Sequence, residues 1–206
     1  MLDNPSYWSY ALSAFIGIGL AAASGFRVFL PMFAVSLASY MGWIPLPESF
    51  HWLGGISTLV ATGIAMVAEI LAYYIPYVDH LLDTINVPLA TVAGSILFAS
   101  QFTTMEVFPQ WALALIAGGG TAAAISSGFA GTRAASTATT GGLGNAVVAT
   151  TETAGAGIMS ILAMAAPIIA AIAAVFLLII VFVLGRKIWN KFRKYNTDAP
   201  IETKSE

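Results

Sequence analysis

The chain has no cysteine, which excludes disulfides, thiolate metal sites, iron–sulfur clusters and cysteine nucleophiles together. Charge is scarce as well: 9% of the 206 residues are Asp, Glu, Lys or Arg, against about 25% in an ordinary soluble domain. Lysine and arginine are scarcest of all, since only Arg27 and Arg133 occur before residue 186. No HExxH, GxSxG or Walker pattern is present, so nothing supplies the nucleophile or metal cage of those chemistries. We therefore expect no enzymatic activity and no cofactor.

What fills the chain instead is apolar: 58% of residues are hydrophobic. A soluble fold cannot hide so much apolar surface, so a lipid bilayer must solvate part of it. The expected fold is an all-α membrane protein, a polytopic bundle of about six to eight hydrophobic helices with broken or re-entrant segments. A signal peptide is not expected at Ala21-Ala22-Ala23, because no Lys or Arg precedes it to form a positive n-region. Residues 1–206 read as a single integral-membrane domain. Within it, 186–206 form a basic tail with Arg186, Lys187, Lys191, Arg193 and Lys194. The positive-inside rule puts that tail in the cytoplasm as a topology anchor, and we expect no nucleic-acid partner.

The apolar stretch from Tyr7 to Trp43 is too long for one crossing, which takes about 20 residues. Ser24-Gly25 and Pro31 divide it into two predicted helices, 8–23 and 28–42. A loop with Pro45 and Pro47 follows, flanked by Trp43 and Trp52 as interfacial aromatics. The next helix runs over 55–75. A short amphipathic piece, 77–86, precedes a helix opened by Pro88. The second part predicts helices over 111–126, 146–165 and 167–185, with a polar Ser/Thr/Gly segment over 130–145.

Halves about 7–103 and 109–185 share an order of features. Each has a small-residue helix, a Ser-Gly-Phe tripeptide, an arginine, a helix with one glutamate and a proline-started helix. Arg27 follows its Phe by one position and Arg133 by four, an offset of three that keeps one helical face. An internal two-fold repeat is therefore expected, inverted with three crossings per half or parallel with four. Equal halves put both termini on one side, the cytoplasm.

A guanidinium inside an apolar run is a functional or pairing site by default. Breaks at Ser24-Gly25 and Ser127-Gly128 would free backbone amides, which must be buried in protein or line a watery cavity. With an arginine beside each, the two sites favour an anion. The plainer reading pairs Arg27 and Arg133 with Glu69 and Glu152, because buried charges are normally paired. Both can hold if the pairs open to admit a ligand. Glu69 shares a stripe with Thr58, Thr62, Ala65 and Tyr73, which suits helix packing or a proton or cation site. Glu152 is its counterpart. Asp79, His80 and Asp83 are weak metal candidates, since a solvated polar edge explains them equally. The run Gly141-Gly142-Leu143-Gly144 offers successive amides for an anion or lipid headgroup.

Gly25-Phe26-Arg27-Val28-Phe29-Leu30-Pro31, the Glu69…Tyr77-Val78-Asp79-His80 segment, and Arg133…Ser136-Thr137-Ala138-Thr139-Thr140-Gly141-Gly142-Leu143-Gly144-Asn145 together resemble a bacterial membrane-protein family, domain of unknown function 4126. The likeness covers roughly 8–185. Relatives often place Pro after the Asn, where this chain has Ala146. The resemblance implies a multi-pass inner-membrane protein and brings no catalytic residue, so Asn145 joins the candidate residues only by its place in the motif. The leading functional reading is a small transporter or channel for an anionic or lipid-like solute, acting as a homo-oligomer such as a homodimer. The alternative is a structural or assembly subunit whose ion pairs hold helices together.

Overall fold

Pro31 decides where the first long apolar stretch bends. A proline ring in a continuing helix collides with the carbonyl four residues upstream, here that of Arg27. In the computed structural model, which describes residues 7–75 and 78–197 (side chains at 79–80, 188–189 and 191–197 excepted), α1 (Tyr7–Phe26) accordingly stops just before Arg27. The chain restarts as α2 (Phe29–Tyr40), with Pro31 in its first turn, where a missing N–H removes no intrahelical bond. The expected break at Ser24-Gly25 is thus displaced by two residues, and both of those residues are helical.

After a 3₁₀ turn (Glu48–Gly54), α3 (Ile56–Ala72) departs at 57° to it. The amphipathic piece and the helix expected after Pro88 are one element, α4 (Val78–Ala99), with Pro88 inside it. α5 (Val107–Leu113), a π turn (Ala114–Gly119) and α6 (Gly120–Thr140) form one continuous rod. The second expected break, at Ser127-Gly128, is absent: no proline follows within reach, and a glycine alone only weakens a helix. α7 (Asn145–Ala165) and α8 (Pro167–Thr197) complete the chain, and no strand occurs among the described residues. Five helical stretches, α1, α4, the α5–α6 rod, α7 and α8, are long and apolar enough to cross a bilayer. The protein is a multi-pass membrane protein of the all-α class.

α1 is the central helix. From Leu20 to Phe26 every residue is buried, and α4, α6, α7 and α8 all pack on it. Between helices in lipid the driving force is close packing, which small residues permit. Gly17 meets Phe98 of α4, Gly19 meets Ala163 of α7 and Ala170 of α8, and Gly25 meets Ile125 of α6. A methyl on Gly25 would lie 2.7 Å from Ile125 Cβ, so this glycine serves helix approach rather than a bend. Gly128 packs in the same way on Val181 of α8.

These pairings also fix direction. With α1 taken as rising, Gly17–Phe98 and Ala21–Gly94 make α4 descend, and Phe98–Gly118, Gly94–Ala122 and Gly25–Ile125 in turn make the α5–α6 rod rise. Gly19–Ala163 and Phe26–Gly155 make α7 descend, so α8 rises. α2 and α3 form an antiparallel hairpin, with Phe33 on Gly63 and Ser39 on Gly54. Seven runs alternate, and the two ends of the described chain lie on opposite faces. This corrects the expectation of both termini on one side. The first half holds four runs and the second three. α1 and α6 point the same way while α3 and α7 oppose each other, so the shared order of features does not correspond to one two-fold rotation.

Candidate functional site

Where α1 ends, its last turn and the first turn of α2 meet the C-terminal end of α3, the N-terminal part of α4, the C-terminal part of α6 and the N-terminal part of α7. Two arginines and three carboxylates among the described side chains come together there: Arg27, Arg133, Glu69, Asp83 and Glu152. Glu152 lies seven residues into α7 and Arg133 seven residues before the end of α6, hence about 10 Å below the helix ends at 1.5 Å per residue.

Arg27 is completely buried. Its Nε donates to Thr153 Oγ1 at 3.2 Å and its Nη2 to the Ala149 carbonyl at 2.9 Å. The same Nη2 lies 3.5 Å from Glu152 Oε2. Arg133 is also buried; its Nη1 donates to Asp83 Oδ1 and its Nη2 to Glu152 Oε2. Glu152 therefore holds both guanidiniums through one oxygen. Both guanidinium carbons also lie 4.0 Å from the centroid of the Tyr73 ring. The negative π-cloud of the ring attracts both cations.

Tyr73→Leu should therefore destabilise the protein by about 2 kcal/mol through loss of both stacks, while Tyr73→Phe should stay close to wild type. Equilibrium unfolding in mixed detergent–SDS micelles measures both.

Glu69 acts differently. Its Oε1 accepts from Val28 N–H at 2.9 Å and its Oε2 from Phe29 N–H at 3.0 Å. It is a bidentate cap on the first amides of α2, where a carboxylate also meets the positive end of the helix dipole. Together the site holds two cations and three carboxylates, an excess of one negative charge when all are ionised. Arg27 Nη1 and Glu152 Oε1 are buried with no hydrogen-bond partner among the described residues.

A family model described as "Domain of unknown function (DUF4126)" matches residues 14–187, most of the chain. The chain belongs to this family. No curated protein and no solved structure matches it. The DUF4126 segment includes Arg27, Glu69, Tyr73, Asp83, Arg133 and Glu152, so the whole constellation lies inside the family region.

Within this DUF4126 chain the sequence candidates divide clearly. Arg27, Arg133 and Glu152 meet as one ion-pair cluster. Glu69 is not an arginine's ion-pair partner but the α2 cap. Asp83, considered for metal, is an ion-pair partner of Arg133. Asp79 and His80 belong to the first turn of α4, and their side chains lie outside the described ones. No group of three His, Cys, Asp or Glu that could hold a metal occurs among the described residues.

Ser24 donates to its own helix at Leu20 O, and Gly25, Ser127 and Gly128 lie on helix faces away from these charges. Asn145 ties the start of α7 to α6 through Thr137 Oγ1 at 3.1 Å. The glycine run does not present a row of amides to a ligand. Gly141 N–H donates to Thr137 O, Leu143 N–H to Thr140 O and Gly144 N–H to Thr140 Oγ1. Gly141 and Gly142 have φ of 64° and 91°, the left-handed backbone that glycine permits at a helix end.

Two contributors escaped sequence reasoning. Tyr73 was only one of a stripe, and its signal was the four-residue spacing from Glu69. Thr153, beside Glu152 in a run of threonines, gave no separate signal.

Proposed function

We propose that this protein is a small membrane transporter that moves an anionic group together with a proton through the Arg27–Tyr73–Arg133 cluster. One observation carries the reading: both guanidiniums already share Glu152, about 10 Å below the helix ends, beside a break in the first helix. An anion can bind them only by displacing a carboxylate. A buried carboxylate stripped of its partner costs several kcal/mol, and taking up a proton removes that cost. Anion and proton then enter together and the site's charge is unchanged. Arg27 Nη1 is the open donor for the anion, and Glu152 Oε1 the open acceptor for the proton. The basic residues Arg186 and Lys187 end the hydrophobic part of α8 on the face nearer the cluster, which under the positive-inside rule is the cytoplasmic one. The small protomer favours a homodimer as the working unit.

The test uses proteoliposomes loaded with a pH-sensitive dye and challenged in turn with inorganic phosphate, succinate and phosphatidic acid. At least one anion should acidify the lumen with wild-type protein, and none should with Glu152→Gln. Wild-type vesicles indifferent to all three, or Glu152→Gln acidifying at the wild-type rate, would refute the reading. The structural-subunit alternative is favoured by Arg133, whose two terminal nitrogens are both already bonded to carboxylates; the substitutions that open the Discussion separate the two.

A further inference from the structure

Glu69 is the one carboxylate of the cluster that no arginine reaches: among the described residues no cation lies at ion-pair distance from it. Each of its oxygens accepts one amide N–H, which leaves a second lone pair on each. The side chain is more than nine-tenths buried and lines a cleft of about 300 Å³. That cleft exists because α3 packs along α2 and the 3₁₀ turn but builds no packed interface with α4, its successor in the chain. Ala65, Ala68 and Ala72 of α3 face Leu82, Ile85 and Leu89 of α4, so the walls are apolar. The polar lining mostly accepts. Asn86 is also buried, and its Nδ2 donates to Ser126 Oγ at 3.1 Å, so its carbonyl oxygen is the end that remains to accept. The Tyr73 hydroxyl, buried without a hydrogen bond of good geometry, can accept as well as donate. Among the described residues no Lys, Arg or His lines the cleft.

We propose that this cleft binds an amphiphilic primary amine in its ammonium form, with the alkyl chain between α3 and α4 and the N–H groups on Glu69 and Asn86. Glu69 takes no part in the arginine ion pairs, so this site does not rest on the anion–proton reading. Charge selects the head. The cluster carries one negative charge in excess when all its groups are ionised, and an ammonium cancels it. A carboxylate in an apolar setting without a counter-charge is costly, and Coulomb attraction is screened least there. An anionic head would meet the Glu69 carboxylate first and be repelled. Donor count then favours an ammonium over a neutral alcohol, since it brings three N–H groups to a lining of acceptors. The three alanines leave the width that a chain needs, and larger residues there would close it. A second groove, about 500 Å³ between α6 and α8, has no ionisable side chain among its lining residues and serves as a control.

Equilibrium dialysis of the full chain in phosphatidylcholine nanodiscs tests the proposal, with radiolabelled dodecylamine, dodecanol and dodecanesulfonate as probes and protein-free nanodiscs as the baseline. At neutral pH the amine is protonated, as a lysine side chain is. Wild type should bind dodecylamine about tenfold more tightly than dodecanol, and dodecanesulfonate least of the three. Glu69→Gln keeps the shape and removes the charge, so amine and alcohol should then bind equally. Ala68→Phe, at an exposed position on the cleft wall, should weaken amine binding about tenfold with Glu69 still in place. That second variant keeps the test decisive if Glu69→Gln loosens the start of α2. Ala135→Phe in the control groove should change nothing. Equal binding of amine and alcohol by wild type overturns the proposal, as does tighter binding of dodecanesulfonate. A preference for the amine that survives Glu69→Gln, or amine binding undiminished by Ala68→Phe, overturns it too. Proton flux is not read, so either result leaves the transport reading to its own test.

Discussion

Glu152→Ala should destabilise the protein by about 3–5 kcal/mol, because it leaves the buried Arg27 with no carboxylate at ion-pair distance and Arg133 with only the partly exposed Asp83. Removing the charges together should behave differently. The combination Arg27→Met, Arg133→Met, Glu152→Met and Asp83→Asn takes away every charge of the ion-pair network, filling the buried positions with apolar atoms and the partly exposed one with a neutral amide. Replacing a buried ionic group in this way is often neutral or stabilising, so the quadruple variant should regain most of the stability lost by Glu152→Ala. Reversible unfolding in mixed micelles gives both values. The comparison separates the two functional readings: a transporter would be stable and inactive in the quadruple variant, whereas a pure staple would leave function unaffected once stability returned. A quadruple variant less stable than Glu152→Ala would contradict the account of the cluster as matched charges.

Glu69→Ala is the second large effect. The alanine cannot accept from Val28 and Phe29, whose amides Glu69 now holds at 2.9 and 3.0 Å. Each buried donor left unsatisfied costs about 1–3 kcal/mol, so a loss of about 2–4 kcal/mol is expected, together with loosening of the α2–α3 hairpin. Hydrogen exchange supplies the specific signature. The Val28 and Phe29 amides should exchange much faster in Glu69→Ala, while amides in the middle of α7 keep their protection. Glu69→Gln retains one acceptor oxygen and should protect one of the two amides. Uniform acceleration across all helices would mean general unfolding and would discount the capping role.

The cluster was partly readable because a cation in an apolar run has few tolerable environments. Arg27 and Arg133 had to be buried in company, and Glu152 was an available partner. Asp83 was obscured by its amphipathic setting, where a carboxylate needs no partner because water is close. The capping role of Glu69 was not legible because its partners are backbone amides about 40 positions away, and a backbone amide leaves no compositional trace. Tyr73 was hidden for the opposite reason: aromatic residues near helix ends are common interfacial anchors, and stacking depends on tertiary placement alone. Ser-Gly-Phe misled for a packing reason. Small residues serve both bends and close helix contact, and only Pro31, four residues beyond Arg27, distinguished the first site from the second.

The odd number of helical runs bears on how paired copies can be engineered. In a tandem fusion, the second copy starts on the face where the first one finishes. A short soluble linker therefore forces the two copies into antiparallel insertion, and only an added spanning segment restores parallel order. Activity in one fused dimer and not the other would reveal the native orientation of a pair without crystals or crosslinks.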